Sequence, residues 1–318
     1  MQCCPRRARK AERPMSFDAE IRDGAGGTAK NRDDSCGIGA SSISTELEER
    51  SVESDQSPQP RFESRPLSDE ERRQAWQNAN FFDATEQAQP LALWILGPSS
   101  VGKSTITVDA APMYSIPRCP TSDDRRRQLD AVTIDGEFMR DAHGLWKEWV
   151  QTDDWRSAYP ALKAVINKEK DDGMCLEAVR RRKNLIIPQT ALKLPKAMSE
   201  MEDMMKSGYT VHVLAVVAPL AECQRRGRKR EQQTGKRYQP SEFQKSIDAI
   251  PALVAISNGK YAIVRALERE GASHGMDFEL LREGYGGAAA SGLSAPTAPL
   301  PEMIEAVISK AVEPAACD

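Results

Sequence analysis

The 318-residue chain has few aromatics (6%), only three histidines, and no apolar run approaching the roughly 18 to 20 residues needed to cross a bilayer. Its seven cysteines are irregularly spaced and contain no C-x-x-C pair, which argues against a disulfide framework and a zinc knuckle and makes free thiols the expectation. A large charge of either sign is also missing: 44 Lys+Arg face 47 Asp+Glu, for a formal charge of −3. Coating of nucleic acid or of an anionic membrane is driven by summed basic charge, so neither role is indicated, and only a local basic patch stays open. The first residues lack the apolar stretch of a secretory signal, and the expectation is a soluble, cytoplasmic protein.

Residues 1–66 are rich in Arg, Ser, Asp, Glu, Gly and Pro, and Phe17, Ile21, Ile43, Leu47 and Phe62 keep no sustained period. Such a segment cannot bury enough apolar surface to offset its ordering entropy, and it reads as disordered. Cys3-Cys4-Pro5-Arg6-Arg7 has the form of a palmitoylation site beside basic residues or of the start of a transit peptide; Glu12, Asp18, Glu20 and Asp23 argue against the second. Order is expected over residues 67–283, opened by a capping box at Ser68-Asp69-Glu70-Glu71 and a helix to about Asn80. Residues 284–318 read as a flexible linker and a short helix from Glu302 to Val312.

Within the ordered part, Leu91 to Leu96, Ala131 to Ile134, Leu185 to Ile187 and Val211 to Val217 are short continuous apolar runs, the pattern of strands covered on both faces. Helical patterns lie between them near Lys103 to Asp109, Pro160 to Lys183 and Lys196 to Lys206. The alternation predicts a three-layer α/β/α fold, a parallel sheet with helices on both faces. Pro219 opens a very basic helix running to about Gly235. A further helix is expected from Pro240, kinked at Pro251 and continuing to Glu270, with Met276 to Leu281 as an edge strand.

Between the first strand and the helix after it, Gly97-Pro98-Ser99-Ser100-Val101-Gly102-Lys103-Ser104 matches G-x-x-x-x-G-K-[ST] in full. Glycines let successive backbone N–H groups turn around phosphate oxygens, and the following helix points its positive end at the same anion. At ordinary residue frequencies a chain of this length shows such a match by chance roughly once in a hundred. The strand before it and the helix after it supply the confirming context. Lys103 should reach the β and γ phosphates of ATP, the Ser104 hydroxyl should hold Mg²⁺, and Thr105 completes the candidate cofactor-binding run. Asn167 to Lys170 reads NKEK, which breaks the guanine-reading N-K-x-D of GTPases. A kinase instead needs a carboxylate near the second strand and cations for the transferred phosphoryl group, and both residue types are present.

In these features the sequence resembles the zeta toxins, P-loop kinases that phosphorylate UDP-N-acetylglucosamine, and their eukaryotic relatives. The resemblance spans about Ser68 to Leu281. It rests on the P-loop, on Ile134-Asp135-Gly136-Glu137-Phe138-Met139-Arg140 with His143 beyond, on Asn184-Leu185-Ile186-Ile187-Pro188-Gln189-Thr190, and on Arg230 and Arg237. It implies a P-loop NTPase fold of the nucleoside-kinase kind. It makes Glu137 the base, with Asp135 as alternative, Lys103, Arg230 and Arg237 the phosphate-binding cations, and Arg140, Asp172 and Thr190 acceptor-side residues together with Asp135 and Glu137. Glu137 stands where the family has Asp, one methylene shorter. Pro188-Gln189-Thr190 replaces the family's Glu-Gly-Thr, and Leu192 replaces an arginine, so the donor side is kept better than the acceptor side.

The reading is therefore an ATP-dependent phosphotransferase acting on a small, UDP-sugar-like or otherwise polar acceptor. Two alternatives stay open: a nucleotide-binding regulatory module without turnover, and a kinase of nucleic-acid 5′-hydroxyls suggested by the basic run Arg225 to Arg237. No obligate protein partner is implied. His143 reads as an acceptor contact or a local cap. Trp146 and Trp149, three apart, read as core rather than as a platform with Trp155, and Met201, Met204 and Met205 as core filling.

Overall fold

Apolar strands buried along nearly their whole length build the centre of the protein. The computed structural model describes residues 63–118, 129–152, 155–268, 276–287 and 299–313, without the side chains of residues 155–158. The expectations for residues 1–62 and for the side chain of Trp155 lie outside the described residues. Strand β1 (Leu91–Leu96) is buried from Ala92 onward and β4 (Thr210–Val217) from Val211 onward. β1 lies between β4 and β3 (Leu185–Gln189), with β2 (Val132–Thr133) outside β3. β5 (Lys260–Glu268) pairs with β4, and these five strands are parallel. β6 (Met276–Tyr285) closes the sheet antiparallel to β5. Leu93, Ile95, Leu96, Leu185, Val211 and Val213 are wholly buried, and each contributes about 1.5–3 kcal/mol relative to an exposed side chain.

Pro188 lies inside β3 yet breaks no ladder. The carbonyls of Asn184 and Ile186 accept from β2 and its continuation, so Pro188, of the same parity, directs its missing N–H past the end of that strand.

The helices are α1 (Asp69–Asn78), α2 (Lys103–Ala110), α3 (Gly136–Ala142), α4 (Gly144–Trp149), α5 (Trp155–Lys168), α6 (Leu176–Arg180), α7 (Leu194–Lys206), α8 (Leu220–Thr234), α9 (Phe243–Ile256) and α10 (Leu300–Val312). A π-helical turn, Glu169–Cys175, joins α5 to α6. α9 carries Pro251 but does not continue to Glu270. Asn258 and Gly259 end it, and the β-branched and aromatic residues of Lys260–Glu268 form β5 instead. α10 packs on α9 and β4 through the buried Ile304, Ile308 and Ala311. Cys175 and Cys223 are free thiols, and among the described residues no helix is long and apolar enough to cross a membrane.

α1 begins as its sequence indicates. The Ser68 hydroxyl accepts from the Glu71 amide (3.2 Å), and Glu71 accepts from the Ser68 amide (2.7 Å). The Glu71 carboxylate also receives both ends of the Arg65 guanidinium (2.6 and 2.7 Å) and the Gly144 amide (2.7 Å), tying α1 to α4. The Arg65 hydrogen bonds, with the Ser68 and Gly144 amides, outweigh partial burial and hold this carboxyl well below the usual glutamate range. Glu71→Ala should cost about 2 kcal/mol in urea unfolding at neutral pH. Because the folded state keeps the group ionised to lower pH than the unfolded chain does, the wild-type advantage should be full above the ordinary glutamate range and shrink as pH falls below it.

Candidate active site

The loop from Gly97 to Gly102 leaves the buried end of β1 and enters α2. Gly97, Ser100 and Gly102 have left-handed φ angles of 141°, 64° and 111°. A β-carbon on Gly97 would stand 2.2 Å from the Val216 carbonyl oxygen, and one on Gly102 would stand 2.4 Å from Cε of Met276. Both positions therefore need glycine. Ser100 holds the same unusual backbone with a side chain, the kind of local strain that collects in ligand-binding loops. Lys103 Nζ folds back to donate to the Gly97 and Pro98 carbonyls, at 2.7 and 2.8 Å. Ser104 is exposed.

This loop floors a cleft of about 670 Å³. Ser99, Ser100, Gly102, Lys103, Ser104 and Thr105 line it, while Gly97, Pro98 and Val101 stand behind. The opposite wall begins where β2 gives way to α3. Asp135 caps that helix by accepting from the Glu137 amide (2.9 Å), which sets Glu137 and Arg140 one turn apart in the cleft. The Glu137 carboxylate is hydrogen-bonded by Arg230 of α8, and Arg140 Nη2 stands 4.0 Å from the same oxygen. Arg140 is 4% exposed; it donates twice to Asp141 and lies 5.4 Å over the Trp146 ring. Burial opposes the charge on Asp135, but Lys236, the Glu137 amide, Arg230 and Lys170 together hold its carboxyl below the usual range.

Arg237 reaches the cleft from the loop after α8 and is exposed, and Thr190 lines it at the end of β3. Asp172 does not: it is exposed, and Asp171 lines the cleft in its place. Counting back from Asn184 assumes an α-helical register, whereas the wider π turn over Glu169–Cys175 rotates the facing position by a residue. Asp171 is paired with Lys170 (3.1 Å) and with Lys196 of α7 (2.8 Å). His143 stays out of the cleft. It is wholly buried, with Nε2 3.0 Å from the Arg65 carbonyl. Trp146 and Trp149 are core residues, as are Met201 and Met204.

Among the cleft-lining cations that the sequence did not single out are Arg226 and Lys236. Arg226, one helical turn before Arg230, donates to the Val101 carbonyl of the P-loop (3.3 Å) and stands 3.4 Å from Glu222. Its Nε and Nη2 are buried without a hydrogen-bond acceptor. The i, i+4 spacing from Arg230 was the available signal, and the density of the basic run obscured it. Lys236 lines the cleft next to Arg237.

Burial, then the Lys236 charge, partly offset by Asp135, and then Arg230 lower the Lys103 ammonium to about 7. An anionic ligand would restore its proton. Nucleotide binding should therefore take up protons above pH 7, with affinity falling as pH rises from 7 to 9. Calorimetric titration at pH 8 in buffers of different ionisation enthalpy measures this. Proton uptake should disappear in Lys103→Met, and equal heats in all buffers for the wild type would contradict it.

Residues 93–248 match the AAA domain family. A structure from the PezAT chromosomal toxin–antitoxin system of the human pathogen Streptococcus pneumoniae is similar, with a TM-score of 0.54 at 16% identity over 78% of this chain and 90% of that one. The AvrRxo1-ORF1:ORF2 complex with ATP gives a TM-score of 0.48 at 15% identity, over 77% of this chain and 82% of that one. Its native form gives 0.48 at 13% identity, over 76% and 82%. No curated protein matches the sequence. A P-loop between a buried parallel strand and its helix, a match to that family model over residues 93–248 and a fold shared with the PezAT structure agree: the chain carries a P-loop domain of the kind that binds a nucleotide.

Proposed function

We propose that the protein is an ATP-dependent phosphotransferase that moves the γ-phosphoryl group to a hydroxyl of a small polar acceptor. The observation that supports it most is the meeting of Glu137 and Arg230, from α3 and α8, in the cleft floored by Lys103. In the reaction the acceptor oxygen attacks the γ-phosphorus and passes its proton to Glu137, while the bond from that phosphorus to the β–γ bridging oxygen breaks and ADP leaves. Lys103 neutralises the β and γ phosphates, and Arg226, Arg230 and Arg237 take up charge spread over the phosphoryl oxygens.

The glycine-built cradle and the exposed Ser104 hydroxyl fit a nucleotide with Mg²⁺, which when bound neutralises phosphate charge. Among the described residues no group of three acidic, histidine or cysteine side chains could hold a metal. Ser104 would therefore be its protein ligand, beside phosphate oxygens and water. Arg230 is hydrogen-bonded to the proposed base, and phosphates that drew Arg230 away would open Glu137 to the acceptor hydroxyl.

The acceptor end is lined by Tyr159, Lys170, Asp171, Thr190 and Lys196, polar groups suited to an acceptor of the UDP-sugar kind that the resemblance implies. The basic run favours this reading over a nucleic-acid one. Arg225 pairs with Glu222 and Glu268 and Arg226 and Arg230 turn into the cleft, so part of the run is committed to the cleft and to acidic partners, while Arg228 and Lys229 stay exposed. Consumption of ATP fits a cytoplasmic setting.

Incubation with γ-labelled ATP and a fractionated metabolite extract should yield a labelled small molecule. Lys103→Ala and Glu137→Gln should each lower its formation by about 10²- to 10⁴-fold with the fold intact by circular dichroism. Turnover retained in Glu137→Gln would pass the role of base to Asp135. Saturable binding of ATP with no labelled product in any fraction would instead identify a regulatory module.

A further inference from the structure

The phosphate-binding residues considered so far are the P-loop and arginines of the basic segment, and Lys236 belongs to neither set. α8 ends at Gly235, whose left-handed φ of 69° turns the chain back toward the cleft. Gly235 N donates to the Glu231 carbonyl (3.0 Å), the Thr234 hydroxyl to the Arg230 carbonyl (2.9 Å), and Lys236 N points at that hydroxyl (3.4 Å). The backbone carrying Lys236 is thus fixed from the same helical turn that carries Arg230.

The Lys236 side chain lines the cleft together with Lys103, Asp135, Glu137 and Arg230. These neighbours are engaged: Lys103 with loop carbonyls, Arg230 with Glu137, and Asp135 with the Glu137 amide. Lys236 differs. Among the described residues its ammonium has no hydrogen-bond acceptor and no ion pair within 4.0 Å, although Asp135 and Glu137 act on it through space against Arg230 and Arg140. The ammonium keeps contact with solvent in the cleft beside other cations, where the oxygens of an anion could take the place of water.

We infer that Lys236 is a second phosphate-binding lysine, whose ammonium contacts the terminal phosphoryl oxygens of the bound nucleotide opposite Lys103. It makes no bond and exchanges no proton in the reaction. It supplies charge to the group being transferred and so separates a triphosphate from a diphosphate. This rests on the phosphotransferase reading above.

Calorimetry of the full chain with the magnesium complexes of ADP and of a β,γ-imido ATP analogue tests it. Lys236→Met should weaken the analogue about tenfold or more and ADP less than about twofold, as expected for loss of one charge-assisted contact to the terminal phosphate. Lys236→Arg should keep most of the discrimination. Lys236→Gln repeats the measurement with a polar side chain, should the Met variant fail to fold. Equal losses for both nucleotides would show that Lys236 only supports the local structure, and no loss for either would show that it faces solvent. Each result overturns the inference while leaving the phosphotransferase reading in place. A wild-type chain that binds neither nucleotide would overturn both.

Discussion

The constraint on which the rest depends is an excess of positive charge at the C-terminal edge of a parallel sheet. Lys103, Arg140, Arg226, Arg230, Lys236 and Arg237 converge there, and at that end of the cleft the carboxylates of Asp135 and Glu137 answer them. In a partly desolvated cleft such a cluster is at odds with folding alone: burial and like charge depress both Lys103 and Lys236. A polyanion would offset it, and the loop from Gly97 to Gly102 floors the same cleft. The fold thus holds an excess of positive charge that a nucleotide could offset, to which Gly235, far from the P-loop in sequence, contributes by turning the chain after α8 at Lys236.

Within the cleft the charges satisfy one another where they can. Lys103 lies on loop carbonyls, Glu137 holds Arg230, and Arg226 leans on Val101 and Glu222. Each of these contacts is one that phosphate oxygens can replace. Binding is therefore an exchange of partners, and its net strength is the difference between two sets of charge-assisted contacts rather than the sum of the new ones. On the proposed reading the same exchange would join nucleotide binding to chemistry, since the arginine on Glu137 is also one proposed to meet the phosphates.

Much of this arrangement was legible in the sequence where one local segment carries it. The run LALWIL, the glycines after it and Lys103 form strand, loop and helix in a single continuous stretch, and the capping box at Ser68 is complete within four residues. The parts that were not legible depend on register or on long-range approach. β5 was read as helix because Pro251 sits inside a helix that keeps its path, so the expected kink gave no sign that the element ends at Asn258 and Gly259. Asp171 was passed over for Asp172 because a π turn is invisible to counting in α-helical steps. Arg226 and Lys236 gain meaning only from what faces them, Val101 in one case and the Asp135–Glu137 corner in the other.

The π turn also bears on how the two ends of the cleft are held apart in the fold. Glu169, its first residue, accepts from Arg72 and Trp76 of α1, each at 3.0 Å, so the turn is held from outside the cleft by a helix that contributes nothing to the P-loop. Lys170 and Asp171 follow on the inner side, and Lys196 of α7 reaches Asp171 across the gap. Residues at this end of the cleft therefore hang on α1, the π turn and α7, while those at the P-loop end hang on β1, α2 and α8. Pro188 and Leu192 line the cleft from β3 and the loop after it, apart from both frames. On the proposed reading a change of acceptor would cost little on such a frame, whereas loss of a cation at the P-loop end would upset the charge balance that nucleotide binding would draw on.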